Sequence, residues 1–251
     1  MSNVNFHAVI PARMASTRLP EKPLKLIAGV PMVVRVAARA ESSGAQSVVV
    51  ATDDARIVEA CSAHGVKALL TDANHPTGTD RLSEAVTAMG LNDEDIVVNV
   101  QGDEPLIEQA NIELVINGVL FDEKADISTL VREIKDVQEA ENPNLVKCVF
   151  DVNNYAMYFS RSKIPYERGA NEGNSQGRWK FYGHLGIYGF KREALFKMTE
   201  LPQAPYEMAE SLEQLRALQN GMKIKVGIVE NVPVGIDTME DFEKFKAMVE
   251  G

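Results

Sequence analysis

Three stretches of the chain carry residue types that handle phosphate and divalent metal when brought together. The first is Pro11–Leu24, PARMASTRLPEKPL, where Arg13, Arg18 and Lys22 fall within one short, proline-braced segment. Two guanidinium forks and one point-charge ammonium suit a polyphosphate, with backbone N–H groups completing the cradle. The same spacing also fits a solvated basic loop. The second is Gln101-Gly102-Asp103-Glu104-Pro105, where the apolar run Ile96–Val100 ends abruptly in an amide, a glycine and two carboxylates. A carboxylate such as Asp103 at a strand end suits Mg²⁺, which takes one or two carboxylates and completes its shell with phosphate oxygens and water. The plainer reading is an acid capping the next helix. The third is Gly235-Ile236-Asp237-Thr238, in which Asp237 also sits between a strand and a helix, as a second metal acid or as a helix anchor.

Weaker signals surround these. Thr77-Gly78-Thr79-Asp80-Arg81 is a small-residue loop feeding a helix, fit to wrap a nucleobase or to place Thr79 as an N-cap. Arg161 in YFSRSKIP and His184 in GHLGIYGF offer groups for an anionic substrate, although a lone histidine is more often structural. His7, His64 and His75 share no spacing that suggests a metal site, and neither GxxxxGK nor GxGxxG is present. Cations at one strand end and metal-ready acids at others are the chemistry of phosphoryl or nucleotidyl transfer from an NTP–Mg complex. Spacing alone goes no further.

Such groups must be positioned by a scaffold, and the pattern of elements names its class. Phe6–Ile10, Gln46–Ala51, Val66–Leu70 and Ile96–Val100 read as strands. Val33–Glu41, Ile57–Ala63 and Leu82–Met89 have helical spacing; Pro31 opens the first, and Gly44, Gly65 and Gly90 close the three. Strands apolar on both faces and alternating with helices predict an α/β fold with a doubly wound, mostly parallel sheet. In such sheets ligands bind beyond the carboxyl ends of the strands, where the candidate residues fall. Further on the pattern turns β-rich: Lys147–Val152 and Tyr155–Phe159 read as a hairpin turning at Asn153-Asn154, with Leu185–Phe190 a later strand. Glu167–Trp179 reads as a mobile loop or lid. Tyr206–Gln219 reads as one helix, Lys223–Val229 as a strand, and Thr238 as the start of a last helix with Asp241 in a capping box. One domain over residues 1–251 is expected, with a smaller antiparallel β-rich sub-structure at roughly 125–205.

Composition bounds the partners. At 251 residues, 45% hydrophobic and 25% charged, the chain has an ordinary globular balance, which excludes disordered and fibrous classes. A net charge of -10 argues against duplex DNA or an anionic membrane as main partner. The two cysteines, Cys61 and Cys148, sit in apolar settings and read as buried reduced thiols. The N-terminus lacks the features of a signal peptide, and no run approaches the ~18 apolar residues of a membrane span, so a cytoplasmic protein is expected.

At the level of whole motifs the chain resembles a known family. PARMASTRLPEKPL, VATDD (Val50–Asp54), HPTGTDRLSEA (His75–Ala85), VNVQGDEPLI (Val98–Ile107), NPNLVK (Asn142–Lys147), YFSRSKIPYER (Tyr158–Arg168), HLGIYGF (His184–Phe190), ESLEQLRAL (Glu210–Leu218) and GIDTMEDFEK (Gly235–Lys244) carry the likeness. They resemble the 3-deoxy-manno-octulosonate (Kdo) cytidylyltransferases, or CMP-Kdo synthetases, of lipopolysaccharide synthesis. The resemblance spans nearly the whole chain, in order. It implies a nucleotide-diphospho-sugar transferase-like fold and transfer of CMP from CTP to Kdo with release of pyrophosphate. By the same resemblance Arg13, Lys22 and nearby Arg18 match the triphosphate loop, and Ala12, Gly78 and Arg81 the cytidine site. Asp103 and Asp237 match the Mg²⁺ carboxylates, Asp103 also lying against the nucleotide. Gln101, Arg161, His184, Tyr188, Glu213 and Gln214 match the sugar pocket. A homodimer is implied, with the β-rich part as interface, and no nucleic acid or membrane partner.

Two positions depart from the family's usual pattern. Glu21 replaces the glycine of LPGKPL and puts a carboxylate beside Lys22; Gly183 replaces an arginine before HLG and is expected to remove a cation from the edge of the sugar pocket. Arg178 or Lys180 stands near enough in sequence to compensate. Two rival readings are a cytidylyltransferase for an 8-amino Kdo analogue or another acid sugar, and a non-catalytic nucleotide-binding regulatory domain. Retention of both metal acids with Arg13 and Lys22 speaks against the second.

Overall fold

Strands that are apolar at every position need cover on both faces, and helices supply it here. The structure is a computed structural model describing residues 5–15, 18–168, 179–230 and 235–250. In chain order its strands are β1 (Phe6–Ala12), β2 (Leu26–Ile27), β3 (Val30–Pro31), β4 (Ser47–Thr52), β5 (Ala68–Leu70) and β6 (Ile96–Asn99). They continue as β7 (Ile127–Ile134), β8 (Lys147–Phe150), β9 (Ala156–Ser160), β10 (Phe181–Lys191) and β11 (Ile224–Val229). The helices are α1 (Met32–Ser42), α2 (Ala55–Ala63), α3 (Gly78–Met89), α4 (Gln109–Leu120), α5 (Arg192–Glu200), α6 (Pro205–Glu210), α7 (Gln214–Gln219) and α8 (Met239–Glu250).

Alternate residues of each central strand enter different cores. Ala8, Ile10, Val48, Val50 and Val98 pack with α1, α2 and α4 on one face. Val9, Ala51 and Val97 pack with α3, α5 and α7 on the other. One sheet runs in the order β11-β7-β10-β6-β1-β4-β5, with the hairpin β8–β9 attached through β10. β1 lies parallel to β4 and β6, β4 to β5, and β7 to β11, whereas β10 runs antiparallel between β6 and β7. The fold is therefore the expected doubly wound, mostly parallel α/β sheet, and its antiparallel part is an extension of that sheet.

Particular elements depart from the sequence reading. α4, α5 and β7 are additional to it, and β7 pairs with two other strands in the interior of the sheet. The helix expected over Tyr206–Gln219 breaks after Glu210, where Ser211 takes a left-handed conformation (φ 51°), leaving α6 and α7. The hairpin turn is as expected, with Asn154 at φ 60°. Residues 169–178 of the expected loop lie outside the described residues. Both cysteines are buried, and burial pushes the Cys61 thiol up to about 11. No helix among the described residues is long and apolar enough to cross a membrane.

α4 lies directly on β10 because Gly189 has no side chain: a Cβ there would stand 2.6 Å from Ser128 Oγ and 2.7 Å from the Val115 carbonyl oxygen. The Ser128 hydroxyl donates to that same carbonyl, so the helix cannot retreat without losing the bond. Gly189→Ala is expected to lower unfolding free energy by about 1–3 kcal/mol, the usual cost of overpacking a filled interior. Urea denaturation checks it, and an unchanged midpoint would show that α4 yields freely.

Candidate active site

The parallel strands β1 and β6 end at Ala12 and Asn99, where the chain turns into the first two candidate loops, and the third, Gly235–Thr238, directly precedes α8. After β6, Gly102 passes so close to β1 that a Cβ would meet the Pro11 carbonyl at 3.0 Å. After β1, Lys22 opens a short 3-10 turn, Lys22–Leu24. Glu21 precedes it at φ 54°, a conformation in which a glycine is unstrained, and its carboxylate reaches outward to Arg56 at 3.0 Å. The departure at Glu21 therefore leaves Lys22 unopposed. Ahead of α8, Thr238 and Asp241 form the expected reciprocal cap, Thr238 N donating to Asp241 Oδ2 at 2.9 Å and Asp241 N to Thr238 Oγ1 at 3.2 Å. The cap uses Asp241, so Asp237 is released from anchoring the helix.

A small separate core clamps these loops together. Leu19 and Ile27 flank Lys22 in sequence and pack with Met32, Ile236, Phe242 and Phe245. The backbone N–H of Ile236 donates to the Asp103 carbonyl at 3.0 Å. As a result Lys22 Nζ lies 2.6 Å from Asp103 Oδ2 and 2.9 Å from Asp237 Oδ1, and Arg18 approaches the other oxygen of Asp237 at 3.3 Å. Behind them burial, reinforced by Asp103 and Asp237, raises the Glu104 carboxyl to about 7.

Two cavities open over this floor. The outer crevice, about 440 Å³, is lined by Ala12, Arg13, Arg18, Lys22, Asp103 and Asp237. The inner one, about 320 Å³, is lined by Asn99, Thr79, His184, Tyr188, Glu213 and Gln214. Pro11, Gly78 and Gln101 line both, so the two form one continuous site. Gln101 Nε2 donates to the Gly186 carbonyl at 2.9 Å, which fixes the amide at the junction. Arg13 donates to the His75 carbonyl at 3.2 Å, tying the basic loop to the segment before α3.

The inner wall is held neutral where it is histidine. His184 lines the cavity but is packed on its other sides, against Phe159 and Tyr188 rings 4.9 and 5.4 Å away. Its Nε2 lies 2.9 Å from Thr129 Oγ1, which also lies 2.8 Å from the Ile187 carbonyl and 3.1 Å from that of Leu185. Burial lowers the imidazolium pKa to about 3. Burial likewise raises the Glu213 carboxyl, against the pull of hydrogen bonds from Thr77 and Thr79, and lifts Tyr188 well above its ordinary value.

Most residues singled out in the sequence converge here; Arg81 and Arg161 do not line either cavity. Arg81 is fully buried and spans Asp53 Oδ2 at 2.7 Å and the Thr71 hydroxyl, holding the turn after β4. Arg161 donates to the carbonyls of Glu210 (2.7 Å), Pro143 (3.1 Å) and Ser211 (3.3 Å), and so braces the break that presents Glu213 and Gln214 to the inner cavity. Gly183 faces the opposite side of β10 from His184: a Cβ there would meet Leu145 Cδ1 at 2.9 Å. The expectation of a cation lost from this pocket is corrected accordingly, because position 183 points into a small core of Ile134, Ala140 and Phe181. The helix cap is Thr77, not Thr79, which leaves Thr79 to the cavity. Asn99 adds to the residues expected from sequence; its signal there is a lone amide in the apolar strand IVVN.

A family model described as cytidylyltransferase matches residues 7–224. The chain belongs to this family. Proteins named 3-deoxy-manno-octulosonate cytidylyltransferase are similar to this cytidylyltransferase along its length. The one from Francisella tularensis subsp. novicida is 47% identical over 97% of this chain and 98% of its own; that from Acidovorax ebreus is 48% identical over 98% of each. A solved CMP:2-keto-3-deoxy-manno-octonic acid synthetase complexed with CTP superposes with a TM-score of 0.89 at 39% identity, covering 98% of both chains. A Leptospira borgpetersenii cytidylyltransferase shares the fold at 20% identity (TM-score 0.62, 98% of this chain and 87% of that one).

The depressed His184 pKa gives the cytidylyltransferase a pH signature. Unfolded chains take up this proton near pH 6.5 and the folded one only near 3. Stability is therefore full above about 6.5 and falls as pH drops through that window. Between pH 7 and 5 the wild type is expected to lose about 1–2 kcal/mol more than His184→Gln, measured by urea unfolding at each pH. Parallel losses in both proteins would show that His184 is protonated in the fold.

Proposed function

We infer that this cytidylyltransferase transfers CMP from CTP to Kdo, forming CMP-Kdo and releasing pyrophosphate. The observation that carries this reading is the joined pair of cavities, one lined by cations and paired acids, the other by polar side chains around a neutral histidine. A nucleoside triphosphate fits the first, with Arg13, Arg18 and Lys22 set against the phosphates. A polyhydroxylated acid sugar fits the second, among Gln101, His184, Tyr188, Glu213 and Gln214. The anomeric hydroxyl would meet the α-phosphorus at the junction, where Pro11, Gly78 and Gln101 are common to both. There the new P–O bond forms as the bond to pyrophosphate breaks, and the hydroxyl proton is released to water.

Mg²⁺ belongs to the same proposal. Among the described residues no cluster of three or more His, Cys, Asp or Glu could hold a metal unaided. Two converging carboxylates suit an ion that draws its remaining oxygens from phosphate and water, and a cationic group already lies between them. Asp103 and Asp237 would hold it. When bound, the ion supplies positive charge against the phosphate oxygens. The chain's own residues do the remainder: the basic loop orients the triphosphate, the Gln101–Gly186 bond fixes the junction, and the packed inner wall excludes water around the sugar.

Pyrophosphate release should require CTP, a divalent ion and an acid sugar together, with Kdo preferred over 8-amino-Kdo and N-acetylneuraminate offered in parallel. Asp103→Asn and Asp237→Asn should each lower kcat by about 10²-fold or more, the scale lost when a transition-state charge partner is removed. Preference for the amino sugar would reassign the substrate, and CTP binding without turnover on any sugar would leave a regulatory domain.

A further inference from the structure

The ammonium of Lys22 stands where the two carboxylates converge, 2.6 and 2.9 Å from them. It is the most enclosed member of the group: its side chain is 12% exposed, against 33% for Asp103 and 45% for Asp237. Arg18 covers the remaining oxygen of Asp237 from the solvent side at 3.3 Å. The free protein thus brings its own counter-ions to both acids. Two partly buried carboxylates converging without them would repel at short range.

On the reading of Asp103 and Asp237 as the metal pair, we propose that Lys22 is a built-in stand-in for the divalent cation, holding the acids together and keeping metal out until a metal–nucleotide arrives. The argument is one of charge and partners. A dication entering alone either sits against the ammonium or expels it, and expulsion takes a nearly buried charge away from both of its carboxylate partners. A triphosphate changes both terms. It brings phosphate oxygens onto which Lys22 can move, within the same loop as Arg13 and Arg18, while the dication takes over the carboxylates. Exchange then leaves every charge partnered, so metal and nucleotide enter together and the free enzyme does not load metal first. Lys22 serves each state with the same three N–H donors, to carboxylates when empty and to phosphate when loaded.

Mn²⁺ is the probe, with free ion followed by electron paramagnetic resonance on the full-length protein without nucleotide. Lys22→Met, which keeps the stem and removes the charge, should bind one equivalent about tenfold or more tighter than the wild type. Lys22→Met/Asp103→Asn should return to wild-type behaviour. In wild type, Mn²⁺ alone should leave Tm unchanged, whereas Mn²⁺ with CTP raises it. Equal Mn²⁺ affinity in wild type and Lys22→Met overturns the proposal. Should Lys22→Met fail to fold by circular dichroism, the wild-type arm still decides: one-equivalent binding without nucleotide overturns it. If Mn²⁺ adds nothing to the protection that CTP gives wild type, the assignment of Asp103 and Asp237 to metal falls and the stand-in falls with it; with that protection intact, failure belongs to Lys22 alone.

Discussion

Two acids from distant parts of the chain, Asp103 after β6 and Asp237 before α8, share the ammonium of Lys22, and the rest of the site is arranged around keeping them there. Like charges do not converge in a folded protein unless something holds them. Here the restraint is partly electrostatic and partly apolar. Ile236 and Leu19, each close in sequence to a site residue, are buried with Phe242 and Phe245 of the last helix, and the Ile236–Asp103 backbone bond adds a stitch. The C-terminal helix thus acts on the N-terminal loop, and a substitution at Phe242 would reach Lys22 and Asp237 through their buried neighbours Leu19 and Ile236.

The inner cavity is held by a different device. β10 enters antiparallel between β6 and β7, which sets Tyr188 opposite Asn99 and His184 opposite Val131. Thr129 of β7 then holds the His184 ring through Nε2, and β6 delivers Gln101 to the junction. From the far side Arg161 fixes the break between α6 and α7 by binding the carbonyls on either side of it. Three strands, together with the α6–α7 break that half-buried Arg161 braces, thereby define the wall of the inner cavity before any ligand enters it.

Much of this was legible from residue types. Apolar strands with helical spacing between them imply the parallel sheet, and acids or cations directly after such strands imply a crevice. What escaped has physical reasons. β7, ISTLVREI, carries Ser128 and Thr129 toward the interior, and their hydroxyls find backbone carbonyl partners that sequence does not reveal. The single helix read over Tyr206–Gln219 ignored the grip of Arg161 on the Glu210 and Ser211 carbonyls, a contact across some 50 residues. Arg161 reads as a ligand group from its residue type and Arg81 from the family resemblance; in the fold Arg161 donates to three backbone carbonyls, and Arg81, in the first turn of α3, donates to Asp53 and Thr71. Local pattern reports what a side chain offers, and tertiary contacts decide who accepts it.

Glu21 and Gly183 show the same division from the other direction. Each changes a residue beside the site, and each is absorbed locally. The carboxylate of Glu21 turns outward to Arg56, at the cost of a left-handed backbone. Gly183 leaves room that Leu145 fills, on the face of β10 away from His184. Since strand neighbours face opposite sides, a residue adjacent in sequence to His184 has no access to its cavity. The lining of the inner cavity therefore comes from the His184 face of β10 and the α6–α7 break, and a change at the motif's immediate flank does not reach it.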